Sequence, residues 1–146
     1  EPYLIEYNVR MGDPECQVIM PRLKTDLVQL FKASVENKLK NIKIKWSKDK
    51  CMTIVLCAKG YPGNYILNEK INLSNVRLTK RSFIFHAGTK IKDNILFSNG
   101  GRVLSIVVLG NTFSNIRIQI YKIMKSINWK YGFFRRDIGW RVIKKR

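Results

Sequence analysis

The sequence predicts a mixed α+β chain, α/β in the broad sense: a strand and two helices, a lysine-rich linker, then a unit of about five strands and one main helix. Three observations carry this. Residues 3–9 alternate apolar and polar side chains in the period of two that a strand requires. Two segments place a capping residue ahead of apolar side chains at helical spacing, with Asp26 before Leu27 and Thr112 before Phe113. From Cys51 onward, short apolar runs alternate with turns rich in Gly, Pro and Asn.

In the first segment, Leu4, Glu6, Asn8 and Arg10 share one face of the predicted strand, and Ile5, Tyr7 and Val9 share the other. The apolar face is expected to pack on a core. Met11-Gly12-Asp13 reads as a tight turn, and Asp13-Pro14-Glu15 as a helix start with Asp13 as N-cap, Pro14 in the first helical position and an acid in the first turn. Pro21 ends that short helix. The next starts at Asp26, with Gln29 three residues on as in a capping box, and carries Leu27, Leu30, Phe31, Val35 and Leu39 on one stripe.

Residues 37–50 are lysine-rich and poor in apolar side chains, which places the domain boundary there, between 1–45 and 46–146. Beyond it, strands are expected over 52–58, 82–87, 95–98 and 102–109, with Gly60-Tyr61-Pro62-Gly63, Lys92-Asp93-Asn94 and Asn99-Gly100-Gly101 as turns. The main helix follows Thr112, with Phe113, Ile116, Ile120, Ile123, Met124 and Ile127 as its apolar stripe, and a last strand-like piece covers roughly 133–143.

Hydrophobic residues make up 45% of the 146, enough for a sizeable core and too many for wholesale disorder. No apolar run approaches the roughly 20 residues of a membrane span, and no signal-peptide pattern opens the chain. The opening Glu1-Pro2-Tyr3-Leu4, without an initiator methionine, reads as a cut end. Twenty-eight basic residues against 10 acidic ones leave a net charge of +18, which favours anionic partners. A composition rich in Lys, Ile and Asn accounts for much of that excess without any partner. Cys16, Cys51 and Cys57 are odd in number and form no CxxC, so neither a disulfide framework nor a zinc site is indicated. Cys51 and Cys57 are expected in the core, and a reducing, cytoplasmic compartment fits.

Glu6 and Asn8 place a carboxylate and an amide oxygen two apart on one strand face, a donor set suited to a hard divalent cation such as magnesium, although a solvated polar face has the same pattern. Arg10 continues that face. Asp13 can cap a helix, accept hydrogen bonds from a substrate amine, or divide its two oxygens between those tasks. Phe85-His86-Ala87-Gly88-Thr89-Lys90 and Asn99-Gly100-Gly101-Arg102 put Lys90 and Arg102 beside glycines that allow close backbone approach, which suits phosphate oxygens but also describes two ordinary β-turns. No P-loop pattern occurs. His86, the one histidine, has the setting of a packed, hydrogen-bonded residue. Phe134-Arg135-Arg136-Asp137 is equally open to a phosphate clamp or a surface ion-pair cluster.

These pieces occur together in one family. Glu6-Tyr7-Asn8-Val9-Arg10-Met11-Gly12-Asp13-Pro14-Glu15 resembles the Glu-(Phe/Tyr)-Asn-x-Arg-x-Gly-Asp-Pro-Glu segment of phosphoribosylamine–glycine ligases, also called glycinamide ribonucleotide synthetases. The likeness continues in order through Pro21-Arg22-Leu23-Lys24 with Asp26-Leu27, Gly60-Tyr61-Pro62-Gly63, Phe85-His86-Ala87-Gly88-Thr89-Lys90, Asn99-Gly100-Gly101-Arg102-Val103-Leu104 and Arg135-Arg136-Asp137-Ile138-Gly139. The departures are Met11 in place of Phe, Cys16 in place of Thr, and Asn111 in place of an acid.

The resemblance implies an ATP-grasp ligase of purine synthesis. ATP activates glycine as a glycyl phosphate, which the amine of 5-phosphoribosylamine attacks to give glycinamide ribonucleotide, ADP and phosphate. It implies that Glu6 and Asn8 are magnesium or manganese ligands, that Arg10 and Asp13 line the substrate and acyl-phosphate pocket as catalytic groups, and that Lys90 and Arg102 hold the ribose 5-phosphate. Residues 1–45 then resemble the tail of the ATP-grasp domain and 46–146 the family's carboxyl-terminal domain. The missing amino-terminal part of the same protein would be the main partner, no residue here would hold the nucleotide, and the chain alone would be inactive. Neither a specific nucleic acid nor a membrane is expected as partner.

A small basic nucleic-acid-binding module is the alternative. Trp46, Phe83, Phe85, Trp129, Phe133 and Phe134 are interspersed among the basic residues, but they sit mostly in apolar strand patterns and no recognition signature accompanies them. A non-catalytic descendant of the ligases is a third reading, opposed by the intact Glu6, Asn8, Arg10 and Asp13.

Overall fold

The computed structural model describes residues 1–143. The chain runs through helix α1 (Cys16–Ile19), a 3-10 turn (Met20–Arg22), helix α2 (Leu27–Val35), a second 3-10 turn (Leu39–Asn41), strands β1 (Lys50–Ala58), β2 (Lys70–Ile71), β3 (Ser82–His86), β4 (Thr89–Lys92), β5 (Ile95–Ser98) and β6 (Arg102–Gly110), helix α3 (Phe113–Ser126), and strand β7 (Gly132–Phe133). The strands form two antiparallel sheets, ordered β3-β6-β1-β7 and β2-β5-β4.

The mixed α+β class is therefore as predicted, with seven strands rather than five. β2 and β4 escaped because two residues, or a lysine-flanked Thr-Lys-Ile-Lys, carry too little apolar pattern to register. β4 and β5 form a hairpin closed at Asp93 and Asn94, both with positive φ, as a two-residue turn of the type that matches strand twist.

β1 buries Met52, Ile54, Leu56 and Ala58 on one face. Between β3 and β1, β6 is buried on both faces, which explains its continuous apolar run. α3 lays Ile116, Ile120, Ile123 and Met124 into the same core, starting as predicted where Thr112 accepts from the Asn115 amide at 3.3 Å. α2 likewise starts at Asp26, whose Oδ1 accepts from the Gln29 amide at 2.9 Å. Its stripe is only partly used: Ala33 is buried, Phe31 and Val35 are exposed, and Leu39 lies beyond the helix in a separate 3-10 turn.

Three further expectations are corrected. Residues 3–9 form no strand: a strand needs a neighbour to satisfy its amides and carbonyls, and none of the described residues pairs with this one, so Ile5 is 93% and Val9 100% exposed. Asp13 does not cap α1. The residue preceding that helix is Glu15, which makes no side-chain cap, and Pro14 lies outside it. Finally, 133–143 is not a strand. After the two residues of β7 the chain turns repeatedly, with Gly139 at φ +80. No helix of the described residues is long and apolar enough to cross a membrane.

Candidate functional site

Two distant segments meet at Asp13. Its Oδ2 lies 3.0 Å from Nη2 of Arg102, and its main-chain carbonyl accepts from Nη1 of the same guanidinium at 3.4 Å. The other carboxylate oxygen, Oδ1, accepts from Nε2 of Gln17 at 2.8 Å. Both oxygens of Asp13 are thus engaged, one by each neighbour, rather than shared between a helix cap and a ligand. Gln17 went unnoticed in the sequence, although its place four residues after Asp13 is the spacing at which such a pair meets. Its Oε1 is buried without a hydrogen-bond partner among the described residues.

Arg102 opens β6, where the ladder slips. Lys50 to Leu56 pair in regular register with Gly110 down to Leu104, but Cys57 then faces Arg102 across a bulge between Leu56 and Cys57. An irregularity of this kind turns the strand end and re-aims its side chains. Here it accompanies an arginine that points toward the amino-terminal segment.

On that segment, Nδ2 of Asn8 donates to Oε1 of Glu6 at 2.8 Å. The predicted pair is thus together, although the strand that was to align it is not formed. The contact leaves Oε2 of Glu6 and the amide oxygen of Asn8, two hard oxygen donors, which fits a divalent cation that takes its remaining ligands from phosphate and water. Among the described residues no cluster of three or more His, Cys, Asp or Glu side chains is placed to hold a metal by itself. Arg10 turns its Nη1 to the carbonyl of Met11 at 2.8 Å and is exposed. Gly12 donates its amide to Oε2 of Glu15 at 3.2 Å.

The two glycine turns pack on each other. A side chain at Gly88 would stand 2.7 Å from both the Arg102 carbonyl and the Gly100 Cα, so only glycine allows this approach. The Gly88 amide donates to the Arg102 carbonyl at 2.9 Å, and the Asn99 amide donates to the Gly88 carbonyl at 2.7 Å. Arg102 is therefore tied by main chain to the turn that precedes Lys90. The Lys90 side chain itself donates to Oδ1 of Asn68 at 2.5 Å. His86 is exposed, with Nδ1 at 3.1 Å from Oγ1 of Thr89.

A cavity of about 580 Å³ opens beside Arg102, on the face of β1 turned away from α3. Thr53, Cys57, Tyr61, Phe133 and Arg135 share its walls with Arg102. The walls are mostly apolar, and the volume is that of a small-ligand site. Oγ1 of Thr53 is buried without a hydrogen-bond partner among the described residues. The Tyr61 ring packs against Gly101, where any Cβ would overlap it. The polar Thr53 inside the apolar run of β1 was the one signal in the sequence that this face of the strand meets something other than core.

Cys57 and Cys51 lie half-buried on this second face rather than in the core, a consequence of the strand alternation. Burial pushes the Cys51 thiol from its ordinary 9.0 up to about 11, against a smaller opposing pull from Arg22. Burial also raises the Cys57 thiol, and the charge of Arg102 offsets part of that. Across the cavity, Arg135 grips Asp137 with both Nε, 3.0 Å from Oδ1, and Nη2, 2.5 Å from Oδ2, which holds the Asp137 carboxyl below its ordinary range.

Comparison with known proteins adds to this geometry. The family described as phosphoribosylglycinamide synthetase, C domain, matches residues 51–141. A protein of Agrobacterium fabrum named phosphoribosylamine–glycine ligase is 42% identical over 144 residues, which cover 99% of this chain and 34% of the relative. A chloroplastic protein of that name from Arabidopsis thaliana is 41% identical over 148 residues, covering 99% of this chain and 28% of the relative. The crystal structure of phosphoribosylamine–glycine ligase from Thermotoga maritima superposes with a TM-score of 0.71 at 32% identity, over 94% of this chain and 33% of that one. The chain spans about a third of the length of the relatives it matches.

Proposed function

Because the chain belongs to the phosphoribosylglycinamide synthetase family through its C domain, we propose that it serves as the carboxyl-terminal part of a phosphoribosylamine–glycine ligase, with 1–45 as the tail of an ATP-grasp domain and 46–146 as the carboxyl-terminal domain. The observation that carries this reading is the junction of Asp13 with Arg102. It joins the segment bearing Glu6, Asn8 and Arg10 to the glycine turn bearing the basic groups, 89 positions away.

The reaction proposed is acyl activation followed by aminolysis. The carboxylate of glycine attacks the terminal phosphorus of ATP and ADP leaves, giving glycyl phosphate. The amine of 5-phosphoribosylamine then adds to the acyl carbon, phosphate departs, and a proton is lost from nitrogen. Glu6 and Asn8 would hold magnesium or manganese, which when bound neutralises phosphate charge during transfer. Arg10 stabilises the negative charge on the acyl phosphate, and Asp13 lines the pocket while holding the Arg102 guanidinium in place. Arg102 meets the 5-phosphate, leaving the amine free to reach the acyl carbon, and Lys90 on the adjoining hairpin adds positive charge to the approach to that site.

The rest of the machinery would come from the amino-terminal part of the ligase, so the 146-residue chain by itself turns over no glycine. Three free thiols suit the cytoplasm, where such an enzyme would work. The nucleic-acid reading is weaker, since Trp129 is buried in the core and cannot stack on a base.

The test is Glu6→Ala in the whole ligase. Turnover should fall on the order of 100-fold, the scale of losing one transition-state charge contact, and excess magnesium should restore part of it. An unchanged rate, or turnover by the 146-residue chain alone, overturns the corresponding assignment.

A further inference from the structure

Arg135 shares a cavity with Arg102, and the cavity holds features of a sugar-phosphate site. Both arginines line the same space of about 580 Å³. Each is braced by an aspartate: Arg102 by Asp13 through Nη1 and Nη2, and Arg135 by Asp137 through Nε and Nη2. A guanidinium carries five N–H donors. The bracing therefore leaves Nε of Arg102 and Nη1 of Arg135 among the donors available for an incoming anion, while each aspartate orients the fork and lowers the entropy cost of binding. Lys90, by contrast, does not line this cavity and donates to Asn68. The same walls carry Tyr61 and Phe133, whose aromatic rings suit the C–H faces of a sugar.

We propose that Arg135 is a further substrate-binding residue: with Arg102 it forms a two-guanidinium clamp for the phosphate of a phosphorylated sugar whose ring lies over Tyr61 and Phe133. The proposal rests on the ligase reading for the identity of the sugar phosphate, and it assigns the Arg135-Arg136-Asp137 segment a division of labour. Arg135 faces the ligand and Asp137 holds it. Arg136 lies apart, at the separate hollow lined by Tyr121 and Phe134, where its carbonyl accepts from the Tyr121 hydroxyl at 3.0 Å.

The experiment uses the 146-residue chain with ribose 5-phosphate as probe. Cys57 lines the cavity and Cys51 does not, so the alkylation rates of the two thiols, followed by mass spectrometry, report occupancy and supply an internal control. Ribose 5-phosphate should slow alkylation of Cys57 and leave Cys51 unchanged, and ribose should do neither. Arg102→Met and Arg135→Met should each raise the concentration for half-protection about tenfold, the scale of one lost hydrogen bond to a charged group. Arg136→Met should match the parent, and thermal melts confirm that the variants fold. Full protection in Arg135→Met, alongside loss in Arg102→Met, overturns the role of Arg135. Equal protection by inorganic phosphate overturns the sugar part. Absence of protection in the parent chain overturns the cavity as the site. The ligase reading is judged separately by Glu6→Ala in the whole enzyme.

Discussion

Arg102 holds Asp13 twice, with Nη2 at 3.0 Å from the carboxylate and Nη1 at 3.4 Å from the main-chain carbonyl, and so fastens the turn before α1 to the first residue of β6. The two side chains are 42% and 38% exposed, which sets how much the contact can do for stability.

An exposed ion pair contributes at most about 1 kcal/mol and is screened by salt. Asp13→Asn should accordingly lower the unfolding free energy of this chain by less than about 1 kcal/mol in urea titrations at low salt, and by less still in 1 M salt. Its larger effect should be on ligand binding: half-protection of Cys57 by ribose 5-phosphate should shift because Arg102 is no longer held. A loss of several kcal/mol would mean that Asp13 does structural work the exposed geometry does not account for.

The opposite ranking is expected in the core. Ile120 is fully buried where α3 meets the sheet. Ile120→Ala leaves a cavity in the core between α3 and the sheet and should cost about 2–5 kcal/mol, read as a lower urea midpoint with the slope unchanged. The cavity beside Arg102 lies on the other face of the sheet, so ribose 5-phosphate should still protect Cys57 in this variant under native conditions.

Gly101→Ala tests the wall of that cavity. A methyl group at Gly101 overlaps the ring of Tyr61, so the ring or the turn must move. Overpacking of this kind typically costs about 1–3 kcal/mol. Tyr61→Ala in the same chain should recover part of the loss, because the group that the methyl strikes is gone. The double-mutant cycle, measured by denaturant unfolding, should show coupling of the two changes; strict additivity would place the clash elsewhere.

The thiols make stability depend on alkaline pH. Cys51 is raised by burial from 9.0 to about 11. The folded chain keeps this proton after the unfolded chain has lost its own, so the associated stability is whole below about pH 9 and is lost as pH rises toward about 11. The midpoint of urea unfolding should therefore fall over that window, and Cys51→Ala should flatten the fall. The Asp137 carboxyl, held low by Arg135, has the opposite sense: its contribution is present above the ordinary carboxylate range and lost as pH falls through its folded value. A carboxyl-detected titration should place Asp137 below the ordinary aspartate range, and Arg135→Met should bring it back.

Local signals in the sequence sufficed for whatever depends on neighbours along the chain. Asp26 and Thr112 cap their helices because a cap bonds an amide three residues away, and 95–98 and 102–109 are legible because a buried strand must be apolar in a run of fixed length. Glu6 and Asn8 were legible as a pair because their separation along the chain alone brings them together. Pairing and facing were not legible. Whether 3–9 forms a strand depends on a neighbour that the segment does not contain, and its alternation is the same with or without one. That Cys57 looks into a cavity and Ile54 into the core follows from which face of β1 receives α3. That both oxygens of Asp13 are occupied, and that Arg135 shares a space with Arg102 while Lys90 turns to Asn68, follows from a bulge and a pair of touching glycines. The residue types of the candidate site were thus settled by the sequence, and their grouping by the fold, because the hydrogen bonds that aim a guanidinium come from residues far away along the chain.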